Sequence, residues 1–257
     1  MKPRAPKIRL DVLLVGRGLA SSRQRAQALL LAGNVIVNGQ PASKPGALIA
    51  EDAEIRVSGE AIPYSSRGGL KLEGALEDFH LSPAGKICLD AGSSAGGFTD
   101  CLLQRGAARV YAVDVNVKQL DWKLTRDARV VPIECNVRYL KPEQIPESID
   151  IVVIDLSFIS VAKVLPAIAA VARPGADFLI LIKPQFELER ADIGKGGIVR
   201  DPALHQRAIE RVTNTALEHD LEPAGVHPSR VPGAEGNLEF FLHAVHKPSS
   251  TIAAGRK

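Results

Sequence analysis

The chain has few cysteines, no long apolar run and, over its first fifty residues, almost no acids. Cys88, Cys101 and Cys135 are the three cysteines among 257 residues. No C-x-x-C pair occurs among them, which excludes a disulfide framework and argues against a zinc site. They read as small core residues of a reducing compartment. A bilayer span needs about 20 apolar residues. The longest candidate, around Ile159 to Val171, is shorter and carries Lys163. The basic start Met1-Lys2-Pro3-Arg4-Ala5-Pro6-Lys7 leads into no apolar signal core, and Arg17 interrupts the best early run. A soluble cytoplasmic protein with no membrane partner is expected. Residues 1–50 hold eight Lys/Arg against Asp11 alone, while the whole chain has a formal charge of +3. The remainder is therefore net acidic. Such asymmetry points to a small polyanion-binding unit attached to a larger body.

The hydrophobic fraction of 46% supports a real core, and the length suits one large domain with a small one. In the small unit, Leu10, Leu13 and Leu14 have helical spacing, and Gly18 can end that helix. Ser21 or Ser22 can cap a second helix carrying Arg23, Arg25, Ala26, Leu29 and Leu30, with Gly33 behind it. Val35-Ile36-Val37 then meets Asn38-Gly39, a strong hairpin signal, and Ile55-Arg56-Val57 closes the unit as a strand. This layout leaves Arg17, Arg23, Arg25 and Lys44 free to form one basic surface.

The large unit carries Asp90-Ala91-Gly92-Ser93-Ser94-Ala95-Gly96-Gly97-Phe98-Thr99-Asp100 after the apolar run Ile87-Cys88-Leu89. A strand, a glycine-rich turn and a helix start lay a ligand against bare backbone. The dinucleotide fingerprint is missing. Its second glycine admits a pyrophosphate, and Ser94 stands there instead. Asp90 would also set a repelling carboxylate at the strand end. A cationic ligand without phosphates fits better, and S-adenosylmethionine is one. A nicotinamide-dependent oxidoreductase is correspondingly disfavoured. The candidate cofactor residues are Asp90, Gly92, Ser93, Ser94, Gly96, Gly97, Phe98 and Thr99. Asp114, after the second strand, is placed to accept from ribose hydroxyls, and Asn136, after the third, lies toward the adenine.

Apolar runs at 86–90, 109–113, 129–133, 150–155, 177–183, 222–228 and 239–245 read as strands, with helical patterns between most of them. The class is α/β, a doubly wound parallel sheet. A turn-rich stretch alone separates the last two strands, so they can pair antiparallel at an edge. Ligands in such sheets sit outside the carboxyl ends of the strands. Asp155 and Lys183 fall at such ends, and Glu239 at the start of the last strand. A lysine directly after four apolar residues is costly to bury unless it is paired. Two readings stand open for Lys183: chemistry, or a structural ion pair with Asp155. Lys71, flanking the helical stripe Leu72, Leu76 and Phe79, reads by itself as an exposed helix lysine.

Two resemblances sharpen this picture. Leu10-Asp11, Arg17-Gly18-Leu19-Ala20, Ser22-Arg23, Ala26, Gly33, Val35, Val37-Asn38-Gly39 and Lys44-Pro45-Gly46 resemble the RNA-binding module first seen in ribosomal protein S-four. That resemblance implies that the basic helix face with Arg23 and Arg25 meets structured RNA, with binding that weakens as salt rises. From Leu10 to Lys247 the chain resembles the TlyA haemolysin-like ribosomal RNA methyltransferases, which have an FtsJ-like catalytic domain. The matching motifs are Ser66-Arg67-Gly68-Gly69-Leu70-Lys71-Leu72, Asp90 to Asp100, Asp155-Leu156-Ser157-Phe158-Ile159-Ser160, Lys183-Pro184-Gln185-Phe186-Glu187, Gly194 to Pro202 and Gly236-Asn237-Leu238-Glu239-Phe240. Ala95 departs from a usual hydroxyl residue, and Pro228 to Gly233 from the usual approach to the last motif.

This second resemblance implies a seven-stranded Rossmann-like S-adenosylmethionine methyltransferase fold. The domains expected are an RNA-binding domain at 1–60, a linker at 61–67, a methyltransferase domain at 68–247 and a disordered tail at 248–257. The family's Lys-Asp-Lys-Glu tetrad falls on Lys71, Asp155, Lys183 and Glu239. The implied reaction methylates a ribose 2′-hydroxyl of cytidine in ribosomal RNA or a ribosomal subunit, by a monomer. Lys183 is expected nearest the hydroxyl, as neutral base or as a cation facing the alkoxide. Arg4, Arg17, Arg23, Arg25, Lys44, Arg67, Lys195 and Arg200 are the candidate RNA contacts. The segment 194–202 is expected to be mobile and to touch RNA or close over the site. The competing readings are a pore-forming haemolysin and a non-catalytic ribosome-assembly factor.

Overall fold

The computed structural model describes residues 6–20, 22–31, 34–42, 44–57, 62–233 and 236–247. Arg4 and the tail expected at 248–257 lie outside these residues, as do the side chains of Arg25 and Lys195. The chain divides into two compact units, Met1–Ala61 and Ile62–Lys257.

The first unit runs β1 (Lys7–Arg9), α1 (Leu10–Gly16), α2 (Arg23–Leu31), β2 (Val35–Val37), β3 (Gln40–Pro41), β4 (Leu48–Ala50) and β5 (Ile55–Val57). Leu10 and Leu14 of α1 and Ala26, Leu29 and Leu30 of α2 close a small core with Val35 and Val37. The β2–β3 turn holds Asn38 and Gly39 at φ 48° and 78°, the left-handed pair that an Asn-Gly hairpin requires. β2 lies between β3 and β5, and β1 pairs with β4 in a separate two-stranded sheet. That second sheet has no sequence signature, because its three-residue strands lie about forty residues apart.

Asp11 is fully buried in this unit. The guanidinium of Arg9 and that of Arg23 each reach it at 3.0 Å, and Gln27 donates to it at 3.2 Å. The Arg9 hydrogen bond, helped by Arg23 and Gln27 and opposed by burial, holds the Asp11 carboxyl well below the usual range. Arg17 donates to the carbonyl of Ala53 at 2.7 Å and to that of Glu51. The expected set of free cations is thus corrected. A lone buried carboxylate and the carbonyls of the turn at 51–53 recruit Arg23 and Arg17, a demand that sequence spacing does not reveal. The Arg23 side chain keeps 57% exposure, and Lys44 is exposed.

The second unit runs α3 (Gly68–Asp78), β6 (Ile87–Ala91), α4 (Gly97–Gln104), β7 (Arg109–Asp114), β8 (Val130–Glu134), β9 (Ile149–Ile154), α5 (Leu165–Ala169), β10 (Ala172–Ile182), α6 (Pro184–Glu187), α7 (Pro202–Glu218), β11 (Leu221–Pro228) and β12 (Phe240–His246). Its seven-stranded sheet has the order β11-β12-β10-β9-β6-β7-β8. The five strands from β10 to β8 are parallel, and β12 runs antiparallel to both β10 and β11. The last two strands pair as expected, but β12 lies inside the sheet. Alternation along it explains why: Phe241 packs into the layer under α3 and α4, while Leu242 and Ala244 pack into the opposite layer. β7, β8 and β9 are joined by 3-10 turns alone, at Val117–Gln119, Leu124–Arg126, Val137–Tyr139 and Pro142–Gln144. Pro142 and Pro146 oppose a longer helix in the second of these connections.

Candidate active site

The sheet register brings three of the four tetrad positions to one edge. Ala91 of β6 lies beside Ile154 of β9, and Ile182 of β10 lies beside Phe240 of β12. The strands stop there, so Gly92, Asp155, Lys183 and Glu239 are neighbours of one rim, on the carboxyl side of the parallel strands. The first turn of α3 brings Lys71 to the same rim.

Two ion pairs form. Lys183 Nζ lies 2.5 Å from Asp155 Oδ1 and donates to Ser157 Oγ at 3.1 Å. Lys71 Nζ donates to Glu239 Oε2 at 2.6 Å, with 11% of the lysine side chain and 3% of the glutamate side chain exposed. Lys71 is therefore not the exposed helix lysine that its local pattern allows. Each amine has a carboxylate partner: the Lys183–Asp155 pair is the one left open in the sequence, whereas the pairing of Lys71 with Glu239, α3 to the start of β12, had no local signal.

Two cavities meet at the glycine-rich turn. The smaller, about 180 Å³, is lined by Ser66, Arg67, Lys71, Ser93, Phe98 and Asp155 among others. The larger, about 530 Å³, is lined by Asp114, Asn136, Leu156, Ser157 and Phe158 among others. Gly92, Ser94 and Asp155 belong to both. Gly92 has φ 96°, and a Cβ there would strike the Asp155 carbonyl oxygen. Only glycine lets the ends of β6 and β9 come this close. Ser94 is also left-handed, at φ 47°. Its N–H and that of Asn116 both donate to the Asp114 carboxylate at 3.0 Å, which fixes that acid at the cavity wall. The Asn136 side-chain oxygen accepts from Arg138 N at 3.0 Å, so its NH₂ is the part that can face a ligand. Ser93, only 4% exposed, presents a hydroxyl without a protein partner at the smaller cavity. The larger cavity has the size of a small cofactor site. An acceptor pair at Asp114, bare backbone at Gly92 and an unpartnered hydroxyl at Ser93 suit a nucleoside bearing a polar, cationic tail.

Other sequence candidates lie elsewhere. Asp90 is fully buried, accepts from Thr99 Oγ1 at 2.6 Å and lines neither cavity. Burial pushes its carboxyl up to about 7. The expectation that it faces the ligand is corrected: the alternation of β6 turns it beneath the turn, where it ties β6 to α4. Gly96 lies under the turn as well, and a Cβ there would collide with Leu124. Gly97 and Phe98 do line the smaller cavity, and Arg67 stands exposed at its rim.

The segment 194–202 is not a free loop. The Asn237 side chain donates to the Gly197 carbonyl at 3.0 Å and accepts from Val199 N at 2.9 Å, and a His205 ring nitrogen meets the Val199 carbonyl at 2.9 Å. Val199 is 3% exposed, while Arg200 is exposed. The glycines that suggested mobility serve turns, and buried Asn237, two residues before Glu239, anchors them. In the neighbouring loop, Arg230 pairs with Glu77 and Asp78 of α3, which occupies its charge. Ser157 and Asn237 carried no separate weight in the sequence. Their hydroxyl and amide sit inside the motifs of Asp155 and Glu239, and that position was the one available signal.

Chemically, the rim offers two amines and two carboxylates beside a nucleoside-sized cavity. Such a set can hold an acceptor hydroxyl, receive its proton and meet the negative charge that develops. Among the described residues, no cluster of His, Cys, Asp and Glu fit to hold a metal occurs, and no helix is long and apolar enough to cross a membrane.

Comparison with known proteins agrees with this geometry. A profile of the FtsJ-like methyltransferases matches residues 64–246, and a profile of the S4 domain matches residues 8–55. The chain is 48% identical over 240 residues to the 16S/23S rRNA (cytidine-2′-O)-methyltransferase TlyA of Mycobacterium tuberculosis, covering 93% of this chain and 90% of that protein. It is similar to the structure of a candidate hemolysin from Streptococcus thermophilus, with a TM-score of 0.76, 43% identity and coverage of 95% and 90% of the two chains. An S-adenosylmethionine-dependent methyltransferase from Mesorhizobium loti shares the fold at 14% identity, with a TM-score of 0.53 over 68% of this chain and 97% of its own.

Proposed function

This chain belongs to the FtsJ-like methyltransferase family, and we propose from that membership, together with its similarity to an rRNA (cytidine-2′-O)-methyltransferase, that its rim of paired lysines and carboxylates methylates a cytidine ribose 2′-hydroxyl in ribosomal RNA. The observation that carries the reading is the meeting of the Lys183–Asp155 pair with the glycine-rich turn at the junction of two cavities. S-adenosylmethionine, when bound, supplies the activated methyl group. Asp114, Asn136 and the backbone of Gly92 to Ser94 would hold its nucleoside, and the unpartnered Ser93 hydroxyl would be available to its polar tail.

The chain's own work is to orient the acceptor and manage one proton. A ribose hydroxyl is a poor acid, and alignment of the oxygen with the methyl group supplies much of the rate. Lys183, fixed by Asp155 and Ser157, hydrogen-bonds the acceptor oxygen. Lys183 Nζ takes that proton as a neutral amine once one of its own protons has passed to the Asp155 carboxylate beside it, so the pair gains one proton overall. Lys71, held by Glu239 at the wall of the smaller cavity, adds positive charge where the oxyanion grows. Asp155 and Glu239 act by placing the two amines.

The first unit is the RNA-binding part, up to about residue 60, joined by residues 61–67 to the catalytic part. Arg17, Arg23 and Lys44 are exposed cations of this unit, with Lys7, Arg9 and Arg56 exposed beside them, and Arg67 and Arg200 add positive charge to the catalytic part. The substrate is ribosomal RNA presented free or in a subunit, and one cytoplasmic protomer suffices. Lys183→Ala tests the reading with ribosomal subunits and labelled S-adenosylmethionine. Loss of a general acid–base residue lowers transfer by about 100-fold or more, with RNA binding retained. Wild-type turnover by this variant would remove Lys183 from the mechanism.

A further inference from the structure

We propose that Glu187 is a positioning residue for methyl transfer: its buried carboxylate clamps the loop that carries Asp155 and Ser157, and so holds both partners of Lys183. The inference rests on the function proposed above and adds a fifth polar residue to the four at the rim.

Glu187 ends α6, four residues after Lys183, and is 3% exposed. Its Oε2 accepts from Ser160 Oγ at 2.6 Å, and its Oε1 accepts from Val161 N at 2.8 Å. Ser160 in turn accepts from Ala162 N at 3.3 Å, capping the 3-10 turn that follows. The loop from Asp155 to Ser160 is therefore tied at both ends. At its start, Asp155 N donates to the Ala91 carbonyl at 3.1 Å and the Asp155 carboxylate meets Lys183. At its end, Glu187 holds Ser160 and Val161.

Between these ties the backbone is strained. Phe158 has φ 65° with 91% of its surface exposed, and its ring lies 5.2 Å from that of Phe186 on α6. A bulky residue keeps a left-handed conformation only where the surroundings over-determine it. Little packing holds so exposed a ring, so the ties on either side must. A carboxylate buried as deeply as that of Glu187 is costly, and burial raises its carboxyl above the usual range. Both oxygens are spent on the loop's end. Releasing it lets the loop relax, and Asp155 and Ser157 move relative to Lys183 while the Lys71–Glu239 pair stays in place.

Three variants of the full chain test this: Glu187→Ala, Glu187→Gln and Ser160→Ala, assayed for methyl transfer to ribosomal subunits beside the wild type. Misplacement of reacting groups predicts that Glu187→Ala lowers kcat by about 10- to 100-fold, while KM for the subunits changes by less than about threefold. Glu187→Gln restores most of kcat, because its carbonyl oxygen accepts from Val161 N and its NH₂ donates to Ser160 Oγ. Ser160→Ala, which removes one hydroxyl, falls between and decides the matter if Glu187→Ala does not fold. Wild-type kcat in a folded Glu187→Ala, or in Ser160→Ala, overturns the proposal, and so does a Gln variant no better than Ala. Absence of transfer by the wild type defeats the proposed function instead.

Discussion

Glu239→Ala leaves the Lys71 amine without its partner in a site where 11% of the lysine side chain is exposed. At 2.6 Å the contact is a short charge-assisted hydrogen bond. Removing one member of a buried pair costs about 3–5 kcal/mol, because the stranded charge stays desolvated, whereas apolar replacement of both members is close to neutral. For a unit spanning Ile62–Lys257, each kcal/mol moves the melting midpoint by about 2–4 °C, so the loss is about 6–20 °C. The double variant Lys71→Met/Glu239→Leu recovers most of that stability and none of the methyl transfer. Trp122 is the single tryptophan of the chain and lies half-exposed in this unit, so its fluorescence follows this unfolding and not that of the first unit. A Glu239→Ala variant within about 1 kcal/mol of wild type would refute the energetic reasoning. An active double variant would refute the chemical role of the pair.

Other outcomes follow from single groups. The Asp90 carboxyl titrates near 3.8 when unfolded and about 7 when buried, so between these values the native state binds more protons and stability falls as pH rises. Asp90→Asn should therefore melt higher than wild type at pH 8, by a margin that shrinks toward pH 4; a pH-independent margin contradicts this. Gly92→Ala drives a Cβ into the Asp155 carbonyl at a left-handed φ and should weaken S-adenosylmethionine binding by about tenfold or more in calorimetry. Unchanged affinity would show that this turn does not hold the cofactor. Arg23→Ala removes one phosphate contact and should lower the salt slope of RNA binding by about 0.7–0.9. An unaltered slope would mean that Arg23 serves Asp11 alone.

The strands of the sheet were legible because buried parallel strands must be continuous apolar runs, as in Val110 to Val113 and Ile151 to Ile154. The glycine-rich turn was legible because its backbone torsions select glycine at Gly92 and Gly96. Pairing across the fold was legible only between strand ends, as for Lys183 with Asp155. Nothing local marks Lys71 as the partner of Glu239, 168 residues away, or Arg23 as a ligand of Asp11. β10 starts at Ala172, earlier than its apolar run, because a bulge accommodates Pro174-Gly175 before the regular ladder with β9. Asp90 misled because strand alternation decides which way a strand-end carboxylate points, and one residue of register reverses it. The glycines of 194–202 misled because the anchor that orders them, Asn237, lies some forty residues on.

The central claim, that the rim delivers a methyl group to a ribose oxygen, is tested most directly by nucleoside mass spectrometry. Ribosomal RNA treated with the full chain and labelled S-adenosylmethionine is digested to nucleosides, and the position of the label is read. The geometry of Lys183, Asp155 and the adjoining cavities predicts the label on the sugar, and the function proposed above places it on cytidine as 2′-O-methylcytidine. Label on a base, or none in RNA from any ribosomal particle, would contradict it.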